Sequence, residues 1–378
     1  MDVEEKIRLI EKPPTEEIIA SNELATLFET KTTPRHYIGL EISGRLHLGS
    51  LIVTGFKIND FLKAGIQANV FLADWHTYIN NKLNSNWELI SKISNYYEKA
   101  FKFFCPGVNI IHGTKLYEET DDYWKNFVLF SKQITLARTL RSLTIMGRTE
   151  KDSLDFSQLL YPSMQSVDIK ALDLDIVHAG TDQRKIHMLV REVFPKLGWK
   201  VPISVHHHLL PGLSEPVSTS ATTMATVKDA ATATATTTTS TPTTTIESSN
   251  GIGIFDDDNK IFSKMSKSNP SSSILIHDTS DEISKKMKKA YCPAKISANN
   301  PVLEIINYVI FHQFDEFVLE RPQKYGGNIS YFSYDEVKSD YEQDKIHPMD
   351  LKAATSRYLD KIISPIRSYL QNDNPVTI

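Results

Sequence analysis

Four short apolar runs, at residues 36–40, 68–73, 108–111 and 175–179, constrain the fold more than any other feature of this chain. Each has the length of a buried strand. The first three are separated by helical spacing at 47–63, which Gly65 closes, and at 87–104. Strands joined by crossover helices build an α/β, Rossmann-like, doubly wound parallel sheet, and such sheets bind ligands beyond the carboxyl ends of their strands. Tyr37, Glu41, His47, Asp74 and His76 all fall at or just past such ends. The run 175–179 leads into Gly180-Thr181-Asp182-Gln183, which should face them across the cleft. Residues 4–30 read as a helical lead-in, and 123–166 as a long, mostly helical stretch.

At 378 residues and 40% hydrophobic, the chain is long enough for two domains. No run reaches the roughly 18 to 20 apolar residues of a bilayer span, and Met1-Asp2-Val3-Glu4-Glu5-Lys6 is too charged for a signal peptide, so a cytoplasmic protein with no membrane partner is expected. Cys105 and Cys292 alone do not make a disulfide framework or a zinc site. Within His206-His207-His208 only His206 and His208 could share a strand face, and no metal site is expected. A net charge of −4 means that any nucleic-acid partner must meet a local basic patch.

Two motifs carry the chemistry. His47-Leu48-Gly49-Ser50 opens a helix, where backbone N–H groups and the helix dipole attract anions, and Lys264-Met265-Ser266-Lys267-Ser268 supplies cations and hydroxyls. Together they are equipment for handling a nucleoside triphosphate. Between Ser214 and Gly251 the composition collapses into Thr, Ala and Ser, too poor in large apolar groups to offset the entropy of ordering, so a solvated insertion is expected there. Thr279 and Glu282 form a capping box for a helix with Ile283, Met287 and Ala290 on one face. This spacing divides the chain into a sheet domain at 1–213 with a helical insertion at about 118–160, a low-complexity insertion at 214–260, the lysine loop and a linker helix at 261–290, and a helical C-terminal domain at 291–378 interrupted at Arg321–Gly327.

Five blocks, taken in order, carry a family likeness: Tyr37 to Gly49, Tyr161 to Asp168, Gly180 to Met188, Lys264 to Ser268 and His347 to Lys352. They resemble the archaeal and eukaryotic type of tyrosyl-tRNA synthetase, a class I aminoacyl-tRNA synthetase. The resemblance implies an enzyme that joins L-tyrosine to ATP, releases pyrophosphate and passes tyrosine to tRNA(Tyr), as a homodimer with Mg²⁺ accompanying ATP. It implies His47, Lys264 and Lys267 as catalytic groups, with Gly44, Gly49, Ser50, Gly180, Asp182, Ser266 and Ser268 completing the ATP site. Tyr37 and Asp168 would bond the substrate phenol; Tyr161, Gln165 and Gln183 its ammonium; Glu41 and His76 would support the pocket. Arg138, Arg184 and Lys185 would approach the acceptor stem, and Tyr325, His347 and Asp350 would grip the first anticodon base. The C-terminal domain would then be the anticodon-binding one.

Tyr161, Gln165 and Asp168 stand at i, i+4 and i+7, so a helix through them would present all three on one face. Two positions depart from the pattern: Ser50 replaces a second histidine and Ile42 replaces a proline. The Gln that the family carries near Lys115 to Tyr117 has no evident counterpart. Two other functions compete with tyrosine activation. Tryptophan activation on the related fold does not need the Tyr37 and Asp168 pair, because indole has no hydroxyl. A non-catalytic RNA-binding relative is favoured only by Ser50, and the intact lysine loop argues against it.

Overall fold

The structure, a computed structural model, describes residues 1–148, 152–218, 253–255, 260–265 and 270–373. Its centre is a six-stranded sheet of β1 (Thr15–Ile19), β2 (Arg35–Leu40), β3 (Gln67–Leu72), β4 (Asn109–His112), β5 (Ile176–Gly180) and β6 (Ile203–His207), in the order β1-β6-β5-β2-β3-β4. All neighbours run parallel except β1, which pairs antiparallel with β6. From β2 the chain first builds outward through β3 and β4, then returns to lay β5 and β6 on the other side of β2. The switch point, where ligands bind in such sheets, is the gap beyond the carboxyl ends of β2 and β5.

Alternation along the strands feeds two cores. Ile38, Val70, Ile176 and Val205 join the cluster that includes Leu51 and Phe56 and, from the helix Trp87–Phe104, Ile90, Tyr97 and Phe101. Tyr37, Phe71 and Val177 join the opposite cluster, with Met164 and Val167 of the helix Tyr161–Ala171 and Ile186, Leu189 and Val190 of the helix Arg184–Val193. The C-terminal elements share the first core. The helix Pro348–Tyr369 packs along Ser280–Lys289, Phe103 and Tyr369 stack 4.5 Å apart, and Arg367 donates to the Asp278 carbonyl at 2.6 Å.

Two expectations need correction. The lead-in at 4–30 contains the strand β1 between the helices Val3–Glu11 and Leu24–Thr30. Glu16 and Glu17 make Thr15–Ile19 too polar to read as a strand, yet the polarity suits a sheet edge, and both carboxylates find histidines on or beside β6. The C-terminal part is not all helix, because Phe317–Leu319 and Ile329–Tyr331 pair as a hairpin around the interruption at Arg321–Gly327. Most of the Thr-rich insertion lies outside the described residues, but Val217–Ser218, Lys260–Ser263 and Gly253–Phe255 form a small antiparallel sheet.

Candidate active site

The helix start beside β2 is shaped by His47. Its Nδ1 accepts the N–H of Gly49 at 3.2 Å and of Ser50 at 3.4 Å, while the Ser50 hydroxyl accepts the N–H of His47 at 2.9 Å, a capping box that closes the first turn of Leu48–Val53. An accepting Nδ1 places the proton of the neutral ring on Nε2. Ser50 is therefore part of the cap, and a histidine there could not repeat this hydroxyl contact. Gly44 turns the preceding loop at a φ of +113°, open only to a residue without Cβ. Ile42, where the family likeness would place proline, is buried and donates its N–H to Thr77 Oγ1 at 2.8 Å; proline has no N–H to give.

Beyond the ends of β2 and β3 lies a buried polar pocket. The helix Tyr161–Ala171 presents Tyr161, Gln165 and Asp168. Asp168 has no exposed surface, its Oδ1 accepts the Tyr123 hydroxyl at 2.7 Å, and its Oδ2 has no hydrogen-bond partner. Burial pushes its carboxyl up to about 8, only partly offset by the Tyr123 and Tyr117 hydroxyls. His76 Nε2 lies 3.6 Å from that free oxygen, also unpartnered, and burial lowers the imidazole to about 3, so this approach is not an ion pair. The Tyr37 ring bends over Gly39, burial and Asp168 raising its hydroxyl well above the usual range. Gln165 Nε2 donates to Gln183 Oε1 at 3.3 Å, Gln165 Oε1 is buried without a partner, and Gln183 Nε2 is held by the Ile145 carbonyl at 2.9 Å. Glu41 accepts from Asn80 Nδ2 at 2.6 Å.

Across the switch point, Lys264 is bound to the Asp182 carboxylate. Burial opposes ionisation of Asp182, but the Lys264 charge holds its carboxyl below the usual value. A Cβ on Gly180 would meet Leu209 Cδ2 at 2.5 Å and Asp182 Oδ1 at 2.8 Å, so glycine is required for this approach. Ser266, Lys267 and Ser268 lie outside the described residues.

The proposed acceptor-stem residues share one region. Arg184 grips Glu17 of β1, Arg138 reaches Glu192 on the helix of Arg184, and Lys185 donates to Thr144 Oγ1. Far along the chain, Tyr325 is exposed with Lys324 Nζ over its ring, and His347 caps the helix Pro348–Tyr369, with Asp350 in its first turn. Arg321 ties the two segments together, donating to the carbonyls of Gly327 and Lys345.

Three pocket residues were not legible in the sequence. Tyr123 and Tyr117 reach Asp168 and His76 from the helices Tyr123–Ser131 and Gly113–Glu119, and Asn80 joins Glu41 to the Met146 carbonyl and, through its oxygen, to Arg148 Nε. The only available signal was the density of tyrosines at 117–123, which reads equally well as core.

A mostly parallel sheet with a histidine-capped helix start on one side of its switch point and Lys264 held by Asp182 on the other has the frame of a nucleotide-activating α/β enzyme. Residues 29–236 and 261–364 match the family of class I tRNA synthetases for tryptophan and tyrosine, and the chain belongs to it. Its relatives narrow this to the tyrosyl branch. A tyrosine–tRNA ligase of Pyrococcus furiosus is 41% identical over 98% of this chain and 96% of its own length, and one of Thermococcus sibiricus is 40% identical with the same coverage. The crystal structure of tyrosyl-tRNA synthetase from Pyrococcus horikoshii complexed with L-tyrosine superposes with a TM-score of 0.82 at 38% identity, covering 98% of this chain and 97% of that one.

Proposed function

We infer that this chain is a tyrosine–tRNA ligase that activates L-tyrosine with ATP and then charges tRNA(Tyr). A carboxylate oxygen of tyrosine attacks the α-phosphorus, the bond to the bridging oxygen breaks, and pyrophosphate leaves. A ribose hydroxyl of the terminal adenosine then attacks the activated carbonyl and AMP departs. Neither step uses a side-chain nucleophile, so the protein contributes positioning and charge. His47 and the N–H groups of the first helical turn receive phosphate. Lys264, with Lys267, closes on the pyrophosphate, and Asp182 and Gly180 take the ribose. Mg²⁺ enters with ATP, held chiefly by phosphate oxygens.

The observation that carries the reading is the floor of the pocket. Asp168 Oδ2 and His76 Nε2 are buried polar atoms without partners, and Tyr37 lies in the same pocket. A phenol hydroxyl fits such a floor; phenylalanine would leave the groups unpaired and indole brings no acceptor. The Gln165 oxygen, also unpartnered, suits the substrate ammonium. Arg138, Arg184 and Lys185 hold acceptor-stem phosphates, and Tyr325, His347 and Asp350, in the C-terminal part at 291–378, take the first anticodon base.

The enzyme works as a cytoplasmic homodimer. Trp124 and Val128, one turn apart on the helix Tyr123–Ser131, are 54% and 56% exposed, and such apolar surface suits a partner subunit. Among the described residues no helix is long and apolar enough to cross a membrane. The test is ATP–pyrophosphate exchange with tyrosine, tryptophan and phenylalanine side by side. Exchange with tyrosine alone is expected, and none with any of them from a folded, tyrosine-binding sample would overturn the activity.

A further inference from the structure

We propose that Tyr117 is a positioning residue: its hydroxyl fixes the tautomer of His76, so that His76 Nε2–H donates to the substrate phenol oxygen while Asp168 Oδ2 accepts the phenol proton. The proposal rests on the reading of this pocket as the tyrosine site and assigns its hydroxyl recognition to residues on three separate elements.

The geometry starts from Asp168. Tyr123 already occupies Oδ1, which leaves Oδ2 as the acceptor that faces His76. The separation of 3.6 Å between Oδ2 and Nε2 is too long for the two atoms to satisfy each other. It is short enough for one hydroxyl oxygen to reach both at about 2.8 Å, donating to one and accepting from the other. With the Asp168 carboxyl ionised, Oδ2 can only accept, and a ligand hydroxyl then does both only if His76 carries its proton on Nε2.

The His76 ring has little freedom to choose otherwise. It meets Tyr161 edge to face, with centroids 4.6 Å apart at 87°, and Phe71 likewise at 6.4 Å and 82°, so packing fixes its plane. What remains open is which nitrogen carries the proton. Tyr117 OH lies 3.4 Å from Nδ1, inside the pocket and 9% exposed. That hydroxyl has one proton and also neighbours Tyr123 and Asp168; when it donates to Nδ1, the single proton of the neutral ring must sit on Nε2. Burial keeps the ring neutral, and so a donor that points at the ligand has to be set by tautomer and not by charge.

A double-mutant cycle in ATP–pyrophosphate exchange separates this role from simple packing. Tyr117→Phe should raise KM for tyrosine and lower the preference for tyrosine over phenylalanine about tenfold, the loss of one buried hydrogen bond, with kcat for tyrosine nearly unchanged. His76→Gln offers an amide N–H near the Nε2 position and needs no tautomer. In that background Tyr117→Phe should have no further effect on selectivity. An effect of equal size there would overturn the proposal, since Tyr117 would then act on Asp168 directly or through packing.

A second measurement needs no variant. In the ¹⁵N-histidine-labelled protein, the His76 ring nitrogens should report a proton on Nε2; a proton on Nδ1 would overturn the assignment even if Tyr117→Phe failed to fold. Wild-type protein that exchanged no pyrophosphate with tyrosine would instead overturn the functional reading, and the ring shifts would still decide the tautomer.

Discussion

Lys264 Nζ rests on Asp182 Oδ2, so the cation proposed for pyrophosphate neutralises the carboxylate proposed for ribose. Because the lysine is wanted where charge develops, Lys264→Ala should cut the rate of activation by about 10²-fold or more while tyrosine affinity stays near wild type. Pyrophosphate exchange beside calorimetric titration with tyrosine measures both. A rate within a few-fold of wild type would leave Lys264 as a partner for Asp182 and nothing more.

Ser50 makes a second prediction through the helix start. Its hydroxyl accepts the His47 N–H at 2.9 Å and closes the capping box. Ser50→Ala removes that bond, and a lost cap costs about 1 kcal/mol. The His47 backbone, freed at its N–H, should also hold the first helical turn, and with it the phosphate, less firmly. A lower midpoint in denaturant together with a higher KM for ATP is expected, and an unchanged midpoint would show that the cap contributes little.

Much of the sheet was legible because its strands are continuous apolar runs separated by helical spacing, as parallel strands buried on both faces must be. Edge strands escape that logic: Thr15–Ile19 carries Glu16 and Glu17 and pairs only on one side. The hairpin of Phe317–Leu319 and Ile329–Tyr331 is too short for any periodicity to show. The pocket divides in the same way. Tyr161, Gln165 and Asp168 share one helix, so their spacing announced a common face. Tyr117 and Tyr123 arrive from other helices, and only tertiary packing brings their hydroxyls to His76 and Asp168.

Asp168 yields a pH prediction. Its carboxyl in the folded chain is raised from 3.8 to about 8, first by burial, so folding favours the neutral form. The stability it contributes is fully present below about 4 and is lost as pH rises through 8. Asp168→Asn should flatten that part of the curve of melting temperature against pH, and it should erode discrimination against phenylalanine. An unaltered curve with unaltered selectivity would remove Asp168 from the pocket.

His208 titrates the link between the sheet edge and the C-terminal helices. Its ring bonds Glu304 at 2.7 Å, lies 3.4 Å from Glu16 and stacks on Tyr308 at 4.1 Å. Burial alone would lower it, but the two carboxylates raise it from 6.5 to about 9. Its stabilisation is therefore complete below about 6.5 and disappears as pH rises through 9. His208→Gln should cost about 2 kcal/mol near neutral pH and much less above 9, read from chemical denaturation at both values. An equal loss at both would mean that stacking on Tyr308 matters and the charge does not.

Gly39 tests the shape of the pocket without removing a polar group. A Cβ there would fall 2.7 Å from the Tyr37 hydroxyl and within 3.3 Å of its ring, on the strand face that both residues share. Gly39 has a φ outside the positive region, so an alanine would strain nothing in the backbone. The only way to relieve the contact is to move the Tyr37 ring, which lies at 2% exposure between the strand and its neighbours. Gly39→Ala should therefore raise KM for tyrosine by about tenfold or more with a modest loss of stability, because the displaced phenol no longer meets the substrate hydroxyl. Gly39→Ala combined with Tyr37→Phe, whose ring lacks the clashing oxygen, should melt higher than Gly39→Ala alone. If the double variant is no more stable, the strain lies elsewhere and the ring of Tyr37 is not what the glycine accommodates.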